Sequence, residues 1–498
     1  MILTVDVGTS ALKAVLYDLA GGVAAQASRR YGYHTPQPGW AEADPEAWWQ
    51  AFDDAVLELA QTMELAAVRA IAFTGQMHTA VLLDADGAVI PPTILWLDRR
   101  AAAETAELQQ RLGLAPYQLN STYTLPKLLW LARHRPDVLA RCATLLWPKD
   151  YLRYRLTGVR CTDVTEAGGA ALLDWGTLRW ARERLTFCAI DPAVLPPLLL
   201  PQDDAGAVMA PLAARYGFAP DVRVMVGAGD VLALVTGAPP QPGRVTCSMG
   251  SSSMVFAPLA ESQSVVQAGE RLYIYPLLPH PLLGGVSSTT GAALHWAWQT
   301  LYEDQTSFAE AVAQALATPA GAEGLFFLPF LAGERTPFWN DALRGAFYGL
   351  TLAHRRAHLL RAVLEGVAFS LRYLLDEFTR LGVGIDSIAL AGGGAAIKGL
   401  PQLMADVCAR PVFVYSGEET VTRGLYAYAC QALNGEAFER ALARTFGAPE
   451  VYRPLAALAG CYEDLYTRYC QLAEFADTTL AANATDLEIN HKEGNHAR

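Results

Sequence analysis

The sequence predicts an α/β protein of two related domains, and three observations carry that prediction. The chain opens on a β-hairpin, in which the apolar runs 2–7 and 12–17 flank a tip of Gly8, Thr9 and Ser10. The same plan of strand, glycine with hydroxyls, strand returns in residues 244–256, with Gly250-Ser-Ser-Ser253 at its tip. Pro239-Pro-Gln-Pro-Gly243 precedes this second copy and is the best linker candidate, which sets the expected domains at 1–242 and 243–475.

The elements follow in order. Gly21-Gly22 turns into a third strand over 23–33, an antiparallel start unlike a repeating βαβ pattern. Asp44-Pro45-Glu46 reads as an N-cap with proline at the first helical position, opening a helix to about Glu64 with Trp48, Phe52, Val56 and Leu59 on one face. Residues 68–74 form a strand that ends at Gly75-Gln-Met-His78. Helices are expected to about Leu112, over 124–134 and over 149–156, while 160–216 is loop-rich. The β-branched run 222–226 feeds Gly227-Ala-Gly-Asp230, with a helix expected from Val231. In the second half an apolar helix over 290–301 precedes the loop 329–345. The clearest helix then carries Leu360, Val363, Leu364, Val367, Leu371, Leu374, Leu375 and Phe378 at three- and four-residue spacing, and Gly382 stops it. Residues 387–391 form a strand into Gly392-Gly-Gly-Ala395, followed by a helix to Cys408. From Ala476 onward the chain is polar and aperiodic, which predicts a disordered tail over 476–498.

Bulk properties narrow the function classes. A net charge of −12 leaves no basic stripe for nucleic acid or an anionic membrane, and no run of about twenty apolar residues or leader pattern is present. The eight cysteines are scattered without zinc-ligand spacing and read as buried thiols in a reducing compartment, so the expected location is the cytoplasm.

The hairpin tips are the first chemistry. Gly8 permits close backbone approach, successive N–H groups can form an anion nest, and Thr9 and Ser10 add hydroxyl donors. Asp6 beside such an anion is repulsive unless a divalent cation intervenes, which points to phosphate plus Mg²⁺. Alone, the tip serves equally as an ordinary turn; its second copy points to one polyphosphate held from two domains. No Gly-Lys dipeptide exists, so no Walker loop does, and neither Gly392-Gly-Gly394 nor Gly227-Ala-Gly229 completes a dinucleotide fingerprint. Asp230 follows a strand end and opens a helix, where open sheets bind ligands; it is either a helix cap or a base that takes a proton from a hydroxyl. The triple glycine can lie flat against a planar ligand or be a tight turn. Gln76 and His78 offer polar contacts at a loop, although a lone histidine is more often structural. The loop from Glu334 to Pro337 reads as scaffolding.

These residues resemble the FGGY family of carbohydrate kinases. The matching stretches are Asp6-Val-Gly-Thr-Ser10, Gly75-Gln-Met-His78, Pro126-Lys-Leu-Leu-Trp130, Pro148-Lys-Asp-Tyr-Leu152, Gly229-Asp230, Gly250-Ser-Ser-Ser253, Gly333-Glu-Arg-Thr-Pro337, Arg361-Ala-Val-Leu-Glu-Gly366 and Gly392-Gly-Gly-Ala395, in order to about residue 430. The resemblance implies two actin-like (RNase H-like) domains with sugar and ATP in an interdomain cleft. It implies Asp230 as catalytic base, and Asp6 with Asp230 as support for Mg²⁺. Thr9, Ser10 and Lys13 would face the phosphates from the first domain, Gly250 and Ser251 from the second, with Gly291, Gly393 and Gly394 bordering the nucleotide. Gln76, Met77 and His78 fall where pentulose-acting members contact their ketose. Two features depart from those members: Val231 stands where asparagine usually follows the base, and Thr420-Val-Thr-Arg-Gly-Leu-Tyr426 replaces a small-residue helix start. The expected partner is a small sugar, with a homodimer as a family-level expectation. The alternatives are a kinase of another pentulose, a tetritol or gluconate, or a non-catalytic ATP-binding protein, which has little need for both Asp6 and Asp230.

Overall fold

The computed structural model describes residues 1–114, 119–174, 177–188, 190–232, 236, 238, 241, 243–258, 271–275, 282–302, 306–340, 342–415 and 420–480. The chain forms two units, Met1–Pro239 with Glu419–Phe446, and Pro240–Glu418 with Gly447–Arg498.

In the first unit β1 (Ile2–Val7), β2 (Ala11–Tyr17) and β3 (Val23–Arg30) form an antiparallel meander. Helix α1 (Pro45–Thr62) begins as its cap residues dictate, with Asp44 accepting the Glu46 N–H at 2.9 Å, a bond worth about 1 kcal/mol. Strand β4 (Ala70–Gly75) runs parallel to β1 with Val7 opposite Gly75, so Gln76–His78 leave the sheet at the same end as the Gly8–Ser10 tip. After α2 (Thr124–His134), α3 (Pro148–Thr157) and α4 (Val164–Gly169), strands β5 (Asp204–Ala207) and β6 (Arg223–Met225) complete the order β5-β6-β4-β1-β2-β3.

The second unit repeats the plan. Strands β7 (Arg244–Met249) and β8 (Ser253–Pro258) form the second hairpin, and β9 (Tyr273–Tyr275) and β10 (Leu282–Ser287) extend it. Helices α5 (Gly291–Tyr302), α6 (Phe308–Leu316) and α7 (Arg356–Arg380) precede β11 (Ser387–Ala391), which lies parallel to β7. All eight periodic apolar side chains of α7 are buried, and Gly382 follows at φ 84°. Helix α8 (Leu400–Cys408) leads to β12 (Val412–Val414), parallel to β11. The chain then enters the first unit as α9 (Thr420–Asn434) and α10 (Phe438–Ala443), and finishes the second with β13 (Glu450–Tyr452) and α11 (Ala459–Phe475). The series β3-β2-β1-β4-β6 and β10-β8-β7-β11-β12 match pairing for pairing, two antiparallel and then two parallel.

The structure departs from the sequence reading at four places. Residues 419–446, expected in the second domain, pack in the first, because the sheet there is apolar on both faces: Leu3, Val5, Leu12 and Phe73 meet α1, whereas Ile2, Val15, Ala70 and Ala72 need α9. Tyr426 lies 5.2 Å from the Tyr17 ring, and Thr422 bonds the Tyr17 hydroxyl at 2.9 Å. The span 160–216 holds several short elements, each under eight residues and too brief for a periodic signal. The helix expected from Val231 opens with a 3₁₀ turn over Asp230–Leu232 and Thr236 beyond it is helical, while 233–235 and 237 lie outside the described residues. Of the expected tail, Ala476–Leu480 continues as a π-turn with Ala476 buried, and 481–498 lie outside the described residues. Cys461, expected to be buried, is exposed in the first turn of α11, with Cys142 and Cys470 half-buried.

Candidate active site

In the first unit the hairpin tip and the end of β4 are tied together. Gln76 is buried; its Nε2 donates to the Gly8 carbonyl at 3.3 Å, and its Oε1 accepts the Thr9 hydroxyl at 3.4 Å. The indole of Trp96 donates to Thr9 Oγ1 at 2.9 Å, and the Tyr31 hydroxyl donates to the Gly8 carbonyl at 2.6 Å. Ser10 is exposed at the tip, and Lys13 stands directly opposite Asp6 in the β1–β2 ladder. Asp6 also pairs with Thr74 in the β1–β4 register.

Asp230 is open to solvent yet set among dense protein atoms. That desolvation, with the Asp6 charge adding to it, pushes its carboxyl up to about 7. Such a group is half ionised near neutrality, as a general base requires. Val231 beside it is buried, so its side chain faces protein.

His78 holds a backbone φ of 67°, and its Nδ1 contacts the Gly169 carbonyl. A carbonyl only accepts, so Nδ1 carries the proton and Nε2 presents a lone pair that can take a hydroxyl hydrogen. Burial and the nearby Lys127 charge push the imidazole down to about 4, which keeps it neutral. Lys127 is itself buried and pushed down to about 7, its Nζ donating to the Thr122 carbonyl at 2.6 Å. Met77 is buried against Gly169 and Gly229.

Beneath this site lies a cluster of buried charges that sequence reasoning missed. Lys149 Nζ is 2.6 Å from Asp150 Oδ1 and 2.7 Å from Asp163 Oδ2, and Arg153 Nη1 is 2.8 Å from Asp150. Glu166, in the same group, is fully buried with neither carboxyl oxygen paired. Burial, with Asp150, Asp163 and Asp230 contributing, holds it well above the usual carboxylate range. Around it two cations, Lys149 and Arg153, face two anions, Asp150 and Asp163. Residue types announce such a cluster weakly, because Lys, Asp and Glu read as surface until their neighbours are known.

In the second unit a cavity of about 390 Å³ is lined by Gly250, Ser251, Gly291, Gly393 and Gly394, five residues picked from the sequence, and by His295, Phe308 and Lys398, which were not. The Gly250 carbonyl accepts the Gly291 N–H at 3.1 Å, and a Cβ at Gly291 would stand 2.3 Å from that carbonyl, so the position must be glycine. His295 stacks on Phe308 with ring centres 4.6 Å apart. Glu334 spends its buried carboxylate on Ser287, Ser288 and Arg335 within the same unit, which is the scaffolding role expected of it.

Among the described residues no three His, Cys, Asp or Glu side chains gather into a metal cage, and no helix is long and apolar enough to cross a membrane. Asp6 and Asp230 remain as a pair of mutually repelling carboxylates. Magnesium takes one or two carboxylates and completes its shell with water and phosphate oxygens, so the pair fits that ion.

Comparison with known proteins bears directly on these features. Residues 1–237 match the N-terminal domain model, and 245–433 the C-terminal domain model, of the FGGY family of carbohydrate kinases. The chain belongs to the FGGY family of carbohydrate kinases. As an FGGY kinase it is a phosphotransferase with an alcohol acceptor and ATP as donor, built on two actin-like domains. It is 34% identical over 412 residues to the xylulose kinase of Escherichia coli (strain K12), covering 82% of this chain and 84% of that one. A ligand-bound xylulose kinase from Lactobacillus acidophilus superposes with a TM-score of 0.88 at 27% identity, covering 96% of this chain and 99% of that one. A gluconate kinase from the same organism gives the same TM-score and identity over 96% and 98%.

Proposed function

We propose that this kinase transfers the γ-phosphoryl group of ATP to the terminal hydroxyl of D-xylulose, giving D-xylulose 5-phosphate, with Asp230 as general base. The observation that carries the reading is the Asp230 carboxyl poised near neutrality beside Asp6 and the Met77–His78 loop. The xylulose kinase relatives favour the pentulose.

Asp230 takes the proton of the attacking hydroxyl, the freed oxygen bonds to the γ-phosphorus, and the bond from that phosphorus to the bridging oxygen of ADP breaks. His78 Nε2 accepts a second sugar hydroxyl, with Met77 against the carbon skeleton and Gln76 fixing the loop to the phosphate-binding tip. Thr9, Ser10 and Lys13 are the candidate phosphate contacts of the first unit, and Gly250 and Ser251 those of the second. The adenine lies in the cavity bordered by Gly291, Gly393 and Gly394, with the His295–Phe308 stack as one wall. Asp6 and Asp230 would hold Mg²⁺, which supplies positive charge against the phosphate oxygens. The reducing cytoplasm suits the eight free cysteines.

The gluconate kinase neighbour favours a second reading, gluconate as acceptor. ADP release measured with D-xylulose, L-xylulose, the ribuloses, erythritol, glycerol and gluconate decides between them. Preference for D-xylulose is expected, and preference for gluconate overturns the substrate. Asp230→Asn should lose at least a hundredfold in kcat with nucleotide binding intact; near-normal turnover by that variant overturns the base.

A further inference from the structure

We propose that Thr165 is a positioning residue for phosphoryl transfer, and that the short helix α4 sets the spacing between the base and the ring that reads the sugar. The inference rests on the roles given above to Asp230 and His78. Residue Gly229, immediately before Asp230, donates its N–H to Thr165 Oγ1 at 2.8 Å, and this bond is buried. Thr165 Oγ1 in turn donates to Asp163 Oδ1, which also accepts the Thr165 N–H at 2.7 Å. Asp163 Oδ2 faces Lys149 Nζ. A line of contacts therefore runs from a buried lysine through Asp163 and Thr165 to the turn that carries the base.

The same buried charges hold the other end of that turn. Arg153 Nη1 donates to the Val226 carbonyl at 2.6 Å, just before Gly227, while Asp150 anchors both Arg153 and Lys149. At the far end of α4 the Gly169 carbonyl meets His78 Nδ1, fixing both the tautomer and the direction of Nε2. One helix of six residues thus touches the catalytic turn through Thr165 and the sugar loop through Gly169. A rigid helix sets the distance between two groups more sharply than a loop does, and small errors in that distance cost rate steeply. Gly169 is required there, since a Cβ would stand 2.3 Å from Met77 Cε and 3.1 Å from His78 Cε1.

The test is steady-state kinetics on the full-length kinase with its sugar, alongside thermal unfolding. Thr165→Val keeps the shape but removes the acceptor, so kcat should fall about tenfold to a hundredfold with the KM for ATP unchanged, and Thr165→Ser should recover most of the loss. Gly169→Ala should raise the KM for sugar severalfold and lower kcat as well, with the KM for ATP unchanged. Unfolding midpoints separate lost stability from lost alignment. Wild-type kcat in Thr165→Val overturns the proposal, as does a parallel change of kcat and KM in both variants without rescue by serine. An active Asp230→Asn would sink the underlying assignment of the base whatever the Thr165 variants do, whereas a dead Asp230→Asn beside a fully active Thr165→Val would sink only the positioning role.

Discussion

A carboxyl group pushed to about 7 is an expensive thing for a fold to keep, and Asp230 makes its cost and its use measurable. In its proposed role as base Asp230 must be ionised to accept a proton, so kcat/KM for the sugar should rise with pH through about 7 and level off above it, and a pH–rate profile checks this. Its linkage to stability runs the other way. The native carboxyl titrates above its unfolded value of 3.8, so between those values the native state binds the proton more tightly, and stability falls as pH rises through the window. Asp230→Asn removes that titration, so the unfolding midpoint of the variant should fall less between pH 5 and pH 8 than that of the wild type while activity is lost. His78 sits on the opposite side of its range, neutral down to about 4, so its hydrogen-bonding role should not titrate across the same profile.

At the scale of elements, motifs are placed by the sheet and not by one another. Because β4 runs parallel to β1 with Val7 opposite Gly75, Gln76 reaches the Gly8–Thr9 tip although 67 residues separate Thr9 from Gln76. The second unit shows the same logic, with the Gly250 tip bonded to the start of α5. Helix α6 brings Phe308 onto His295, and its capping box of Ser307 and Glu310, a spacing present in the sequence, could have located it. His295→Ala should raise the KM for ATP about threefold to tenfold without moving the KM for sugar, since an aromatic stack is worth roughly 0.5–1.5 kcal/mol. Helix α4 carried only a cap signal, Asp163 with Glu166 three residues on, because six residues give less than two turns of periodicity.

For the whole molecule the decisive feature is that the first unit is not one continuous segment. Its sheet is covered on one face by α1 and on the other by α9 and α10, which arrive after most of the second unit has been threaded. Residues 1–239 alone would expose Ile2, Val15, Tyr17, Ala70, Ala72 and Met225, an apolar face too large to stay solvated. Expressed alone that segment should aggregate, whereas joining 419–446 to it through a flexible linker should give a cooperatively unfolding domain. Circular dichroism with thermal melts reads both cases, and a stable, monomeric 1–239 would show that the late helices are dispensable. Packing is close where they dock: a Cβ at Gly424 would stand 2.6 Å from Leu232, two residues past Asp230.

The sequence alone determined the two hairpins, the duplicated α/β plan, α7 by its periodicity, and the motif residues Asp6, Gly75–His78, Asp230, Gly250 and Gly392–Gly394. Each is a local pattern of turn chemistry or spacing, and local patterns survive in one dimension. Tertiary structure decided which unit receives 419–446, the tautomer of His78, the burial of Glu166 without a hydrogen-bond partner, and the contact of Thr165 with the turn before Asp230. Those outcomes depend on what lies on the far side of a sheet or beneath a turn. Burial and pairing are set by neighbours distant in the chain, and no local pattern encodes them.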